Sequence, residues 1–395
     1  MRCRFRTNVK FAGNLRLVIY FNFQIFNLQE WILIISLFLF FSVQLYFILR
    51  YFIRTLFLKP VSEGIFENHI SVVVAVRNEE EKTKTIIEEL LAQHFSNFEL
   101  IVVDDHSMDR TYELLFSLTR NYKNVKYTGI AQDVRFSEKM NINLGMKAAK
   151  SEWIIFTEAE VVSRDNQWLK KMNCYINDDI DAVVAYSNIS GGKGFVRYFY
   201  RIEKMWQYLQ STSFILGGRT LIADQDNVLI RKKIYFAKGG FRTHINKHYA
   251  NLELILNEEI NSKRIKIATS ELAVKSQIDE NEHLSFRNLM KKSMQIRRNL
   301  VTGSRIALFL EEYSRILLFS AFVLMFIFRP VYWEFSLILL LIYLLFVTII
   351  LGINQRRLKE QKLFLSSLAY ILVRPLLVLF IGMSMIIKDR RDRWI

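Results

Sequence analysis

Three clusters of carboxylates, each directly behind a short apolar run, hold the most concentrated chemistry in the chain. Ser71-Val72-Val73-Val74-Ala75-Val76 ends at Arg77-Asn78-Glu79-Glu80-Glu81. Phe98-Glu99-Leu100-Ile101-Val102-Val103 runs into Asp104-Asp105-His106-Ser107-Met108-Asp109-Arg110-Thr111, and Trp153-Ile154-Ile155-Phe156-Thr157 delivers Glu158-Ala159-Glu160. Carboxylates in such numbers accept hydrogen bonds and ligate hard cations. Lys139, at the start of the helical stretch Ser137 to Lys150, could reach a phosphate. Some of these acids also have plain structural roles. Asp109 suits the cap of a helix starting near Thr111, and Glu79 and Glu80 suit the first turn of a helix, where the dipole favours carboxylates. His106, His244 and His248 read as loop residues without metal-ligand spacing.

The runs that carry these clusters are five or six residues long, apolar apart from Ser71, Glu99 and Thr157 and rich in β-branched side chains, so they read as buried strands. Thr83 to His94 and Thr111 to Asn121 between them have helical period, giving a β-α-β-α order and a parallel sheet covered on both faces. Ligands of such sheets sit outside the carboxyl ends of the strands, where all three clusters lie, so one site is expected. Further along, Trp168 to Tyr175 reads as a helix and Asp181 to Tyr186 as a strand. Gly191-Gly192-Lys193-Gly194 reads as a loop, and Phe195 to Phe214 as an aromatic-rich helix used for packing. Gly239-Gly240-Phe241 marks a tight turn before a helix from Tyr249 to Asn261.

Four apolar stretches are read as membrane spans. They are Trp31 to Ile53, Ile316 to Phe328 extended by Val331-Tyr332-Trp333, Phe335 to Ile353, and Leu363 to Ile387. The first is expected to be an uncleaved anchor. The implied division is 1–30 as an N-terminal segment, 31–54 as a transmembrane helix, 69–277 as an α/β domain, 283–312 as interfacial amphipathic helices and 313–388 as about three transmembrane helices. Arg374-Pro375 in the last stretch marks either a kink facing a polar cavity or the break of a re-entrant segment. The net charge of +16 comes largely from basic residues beside the spans, such as Lys291, Lys292, Arg297, Arg298, Arg356, Arg357, Arg390 and Arg391. That distribution points to anionic lipid headgroups, not to nucleic acid. Cys3 and Cys174 form no disulfide framework, which fits a soluble domain in a reducing compartment.

In order along the chain, these motifs resemble membrane-bound family 2 glycosyltransferases of the GT-A fold, which use nucleotide-sugar donors. The resemblance covers about Ile70 to Asn299. Val74 to Glu80 is similar to the family's first-strand signature and Asp104 to Thr111 to its nucleotide-binding signature. Lys139 through Gly145, followed by Phe156 to Glu160, is similar to its lysine-bearing helix and Asp-x-Asp motif, and Gly240-Phe241 and Gln295-x-x-Arg298 resemble two later motifs. The resemblance implies that Val76, Asn78, Glu79, Asp104, Asp105, Lys139 and Glu158 bind the nucleotide sugar. It further implies that Glu158 and Glu160 hold Mg2+ or Mn2+, and that the acceptor is a lipid-linked or polysaccharide chain at the inner membrane of the cell. The catalytic domain is then expected in the cytoplasm, where nucleotide sugars are found. Such transfer needs base and ribose recognition, neutralisation of a departing diphosphate and removal of the acceptor's proton.

The sequence departs from the pattern at several positions. Glu158 and Glu160 stand where the family has Asp, Asn299 replaces an aromatic residue, and Ala223-Asp224-Gln225-Asp226-Asn227 lacks the usual glycines. Asn251 stands at the position of the catalytic base, and a neutral amide takes no proton at physiological pH. Glu253 or His248 would have to substitute, with Asn251, Gln295 and Arg298 completing the catalytic set. Two functions of different class follow. One is an active inverting glycosyltransferase with a shifted base. The other is a degenerate transferase that serves as a nucleotide-binding or scaffold subunit of a membrane assembly.

Overall fold

The computed structural model describes residues 3–10, 16–23, 28–61, 68–134, 136–158, 161–163, 165–190, 194–276, 286–328 and 333–391, with backbone alone at 3–30, 158, 161–163, 333 and 386–391. In chain order the elements begin with the antiparallel pair β1 (Cys3–Lys10) and β2 (Arg16–Phe23), then α1 (Leu28–Arg50). The α/β part comprises β3 (Ile70–Val76), α2 (Glu80–Leu91), β4 (Phe98–Asp105), α3 (Thr111–Asn121), β5 (Val125–Ile130), α4 (Ser137–Ala148), β6 (Trp153–Glu158), β7 (Val161–Ser163) and α5 (Trp168–Asn173). It continues with β8 (Ala182–Val184), β9 (Ser187–Ile189), α6 (Phe195–Leu216), β10 (Val228–Arg231), α7 (Lys232–Phe236), α8 (Leu252–Glu259), β11 (Ile265–Ile267) and β12 (Val274–Ser276). Four helices follow: α9 (Phe286–Arg298), α10 (Thr302–Phe328), α11 (Trp333–Arg357) and α12 (Phe364–Arg391).

Seven strands form the main sheet in the order β11-β8-β10-β6-β3-β4-β5, and β7-β12-β9 form a small second sheet. The four strands β6-β3-β4-β5 are parallel, as the apolar, β-branched composition of β3, β4 and β6 implies. Alternate residues face opposite layers. Val72, Val74, Leu100 and Val102 pack with Ile86, Leu90 and Leu115 from α2 and α3. Val73, Ile101 and Val103 pack with Ile142 and Met146 of α4 and with Leu252, Ile255 and Leu256 of α8. Each such side chain, fully buried, contributes roughly 1.5–3 kcal/mol. The sheet as a whole is mixed, because β10 runs antiparallel to both β6 and β8. Its four residues carry no signal of direction until the two neighbours flank it.

Among the described residues, three helical stretches, Trp31–Phe57, Glu334–Arg357 and Gln361–Met385, are long and apolar enough to cross a membrane. The fourth expected span, from Ile316, is the second half of α10. The first half of that helix buries Glu311, Glu312 and Arg315. The remaining apolar stretch to Phe328 measures about 20 Å at helical rise, against a hydrocarbon core of about 30 Å. Helix α12 passes through Pro375 without interruption, so the segment is not broken there.

The α/β part is joined to these helices by ions. Arg374 of α12 donates through Nε and Nη2 to the two carboxylate oxygens of Glu203 on α6, at 2.8 and 2.9 Å. It also pairs with Glu312, which Arg297 of α9 approaches at 2.8 Å. Glu360, in the turn between α11 and α12, receives Arg201 at 2.5 Å and Lys275 at 3.2 Å. The aromatic faces of α6 serve packing: Trp206 stacks on Phe52 at 5.9 Å and Phe214 lies 5.0 Å from Tyr51.

Candidate active site

The tips of β3 and β4 form one side of the site. Asp104 pairs in register with Val76 on one flank and Gly129 on the other. A Cβ at Gly129 would sit 2.9 Å from the Asp104 carbonyl oxygen, so only glycine fits this approach. Asp104 Oδ1 accepts from the Ser107 hydroxyl at 2.5 Å and from its N–H at 3.2 Å. Asn78, at φ 51°, donates its N–H to Ser107 Oγ at 2.9 Å and accepts from the Met108 N–H at 2.7 Å. Asp109 accepts from the N–H groups of Thr111, at 3.1 Å, and Glu80, at 3.3 Å, and so ties the starts of α3 and α2 together. Val76 is buried, and Glu79 pairs with Lys82 at 3.2 Å. Asp105 stands apart: one oxygen lies 3.7 Å from Arg77, and the other is buried without a hydrogen-bond partner. A buried acceptor left open in this way has room for a donor from water or from a ligand.

Beside this tip, across β3, lies a cleft of about 280 Å³. Its wall includes Ala75 of β3, Thr157 of β6, Glu138 and Asn141 of α4, Gln225, Asp226, Tyr249, Asn251, and Lys292 of α9. Lys139 does not open onto it. Its ammonium donates to Lys247 O at 2.5 Å, Ala250 O at 3.0 Å and Asn251 Oδ1 at 2.7 Å, which occupies all three of its protons. Burial lowers the pKa of this lysine, and Glu138 and Glu253 oppose the shift. Asn251 turns its amide to Glu138, with Nδ2 donating to Oε2 at 2.5 Å. A donor-only lysine on one side and a carboxylate on the other fix which way the amide points.

Glu253 lies behind the wall of the cleft and is wholly buried. Its Oε2 accepts the Asn251 N–H at 3.0 Å and its Oε1 lies 2.6 Å from Lys292. Burial pushes this carboxyl up, while the ammonium of Lys292 pulls it back. Burial would favour a neutral amine at Lys292, but Glu253, Asp224 and Asp226 hold it well above the ordinary lysine range. Lys204 completes the cluster, 2.8 Å from Asp224 and 2.6 Å from Asp226. Gln295 accepts the N–H groups of Tyr249 and Ala250, at 2.7 and 3.0 Å, and so holds the 249–251 turn from below. Arg298 donates to Gly382 O of α12 at 3.3 Å. Neither Gln295 nor Arg298 lines the cleft, and His248 lies against Phe136 with ring centres 5.3 Å apart.

Glu158 is the last residue of β6, paired in register with Ala75 of the cleft wall; Glu160 and the 191–193 loop lie outside the described residues. Among the described residues no three His, Cys, Asp or Glu side chains gather as a cation site. The acids that end at this edge of the sheet offer oxygen donors only, a set suited to a hard divalent ion. Sequence reasoning missed Glu138, Gln225, Asp226, Tyr249 and Lys292. The signal for Glu138 was slight, an acid in the first turn of a helix. Its partner lies 113 residues away.

Residues 71–236 match the sequence model of the family described as Glycosyl transferase family 2. An uncharacterized glycosyltransferase of Haemophilus influenzae is 27% identical over 142 residues, 35% of this chain and 43% of that protein. Glycosyltransferase GlyG of Streptococcus pneumoniae is 27% identical over 132 residues, 33% of this chain and 43% of that protein. The chain thus spans less than half the length of these curated relatives. Among solved structures, a mannosyltransferase of Pyrobaculum calidifontis in complex with GDP-Man and Mn2+ superposes with a TM-score of 0.50 at 14% identity, over 87% of this chain and 99% of that one. Likeness at that identity is one of fold, and the fold is GT-A.

Proposed function

Residues 71–236 are a family 2 glycosyltransferase domain, and from that premise we propose that the protein moves a sugar, with inversion, from a nucleotide-sugar donor to a hydroxyl of a lipid-linked or polysaccharide acceptor. The observation that carries this is the cleft where β3 and β6 end, on the same edge of the sheet to which β4 delivers Asp105 with one carboxylate oxygen unpaired. In this reading Asp104 and Asp105 take hydrogen bonds from the base or ribose, and Asn78 holds the loop that frames them. The sugar lies over Ala75 and Thr157 in the cleft. Glu158 with Glu160 would hold Mg2+ or Mn2+, which when bound neutralises the diphosphate as it leaves. Inversion needs the acceptor to enter opposite the diphosphate, from the side walled by Tyr249 and Lys292, next to α9 and the long apolar helices. Three such helices support a multi-pass protein of the inner membrane. Because nucleotide sugars are cytosolic, the domain belongs on the cytoplasmic face.

The test uses the full chain in detergent with Mn2+ and a panel of UDP- and GDP-sugars, measuring release of nucleoside diphosphate. At least one donor is expected to be consumed, and EDTA should stop the release. Nucleotide bound without turnover across the panel would instead favour the nucleotide-binding or scaffold subunit.

A further inference from the structure

From the geometry of the cleft we infer that Glu138, and not Glu253, takes the proton of the acceptor hydroxyl, with Asn251 as the amide that aims it. The inference rests on the glycosyltransferase reading of this cleft. A base must touch the proton it removes. Among the described side chains, two carboxylates line the cleft, Glu138 and Asp226. Asp226 is almost buried and held by Lys204 at 2.6 Å. Glu253 is sealed from the cleft, one oxygen on Lys292 and the other on the Asn251 backbone. Protonating it would break a buried ion pair. Glu138 differs on each count: it is exposed, it opens onto the cleft, and Asn251 Nδ2 engages its Oε2 and leaves Oε1 for an incoming hydroxyl.

Lys139, the next residue, holds Asn251 Oδ1 and thereby keeps the amide's donor end turned to Glu138. The pair is a carboxylate and an amide in contact, with the carboxylate contributed by α4 and the amide by the turn before α8. In the transfer step, the acceptor oxygen forms its bond to the anomeric carbon as the bond from that carbon to the diphosphate oxygen breaks. The electron pair leaves with the diphosphate. The hydroxyl proton passes to Glu138, which becomes a neutral acid and later yields the proton to water.

The experiment exchanges the pair in the full chain, with UDP-glucose, UDP-N-acetylglucosamine and GDP-mannose as probes and Mn2+ present. Glu138→Gln should lower nucleoside diphosphate release by about 10²–10⁴-fold, the usual worth of a general base, with donor affinity and melting temperature unchanged. Adding Asn251→Asp to Glu138→Gln moves the carboxylate across the same contact and should recover at least about tenfold of that loss. Glu253→Gln should lower the melting temperature and cost less turnover than Glu138→Gln. Undiminished release by Glu138→Gln overturns the assignment, as does a loss matched by weaker donor binding, which would make Glu138 merely structural. No release by the unaltered protein with any of the probes removes the glycosyltransferase reading itself and the base with it.

Discussion

At the scale of single residues, Asn251 is set by two charges, the Lys139 ammonium on its Oδ1 at 2.7 Å and the Glu138 carboxylate on its Nδ2. In the sequence it stands as an amide where the family resemblance places a proton acceptor. Its partner was hidden, because helical spacing relates residues within one element and Glu138 arrives from another. Lys139 was readable as a cation beside the site, yet its direction was not: three oxygens of the 247–251 turn, all outside its own helix, determine where its ammonium goes. Lys139→Met removes the charged donor to Lys247 O, Ala250 O and Asn251 Oδ1. Stability should fall by about 1–3 kcal/mol, the cost of leaving buried acceptors open. Turnover should fall with it, while donor affinity, which depends on the tips of β3 and β4, should stay. Calorimetric nucleotide binding alongside a turnover assay separates the two effects.

At the scale of elements, β3, β4 and β6 were legible because they are buried on both faces and so read as largely apolar runs, whereas β5, half-exposed and carrying Lys126, Thr128 and Gly129, was not. β10, β11 and β12 were not, since three or four residues give no period to read. Glu99 shows how the parallel strands are fastened. It accepts from Ser71 of β3 at 2.6 Å, from Lys126 of β5 at 2.5 Å and from the Lys150 N–H behind α4 at 2.6 Å. Burial raises its pKa, but these partners outweigh burial and hold the carboxyl below its ordinary value. A carboxyl lowered in the folded state stabilises above the unfolded pKa of about 4.3 and loses that contribution as pH falls through the folded value. Glu99→Gln should therefore lower stability by about 1–3 kcal/mol at neutral pH, and the gap in melting temperature should close in acid. Gly145 makes a second test. A Cβ there would lie 2.4 Å from Val73 Cγ1, so Gly145→Ala must push α4 off β3. We expect a loss of about 1–3 kcal/mol from overpacking, seen as a lower denaturation midpoint, although alanine is the better helix former.

At the scale of the whole molecule, the apolar helices were legible from composition, but the way they meet the α/β part was not. Arg374-Pro375 read either as a kink facing a polar cavity or as the break of a re-entrant segment. Arg374 is fully buried between Glu203 of α6 and Glu312 of α10. Arg374→Met leaves Glu203 without its cation, while Glu312 keeps Arg297, and should cost about 3–5 kcal/mol, the penalty for unpairing a buried charge. Thermal unfolding of the full chain in detergent measures it, and Glu203→Gln added to Arg374→Met should return part of the loss. The same ions set a limit on movement. In the membrane-bound protein proposed above, a catalytic part riveted to its anchor at Glu203, Glu312 and Glu360 cannot swing on a leash, so its reaction centre keeps a constant altitude over the lipid plane. Substrates must then match that altitude, and lengthening or shortening the acceptor's spacer should tune the rate far more steeply than it would for a tethered domain.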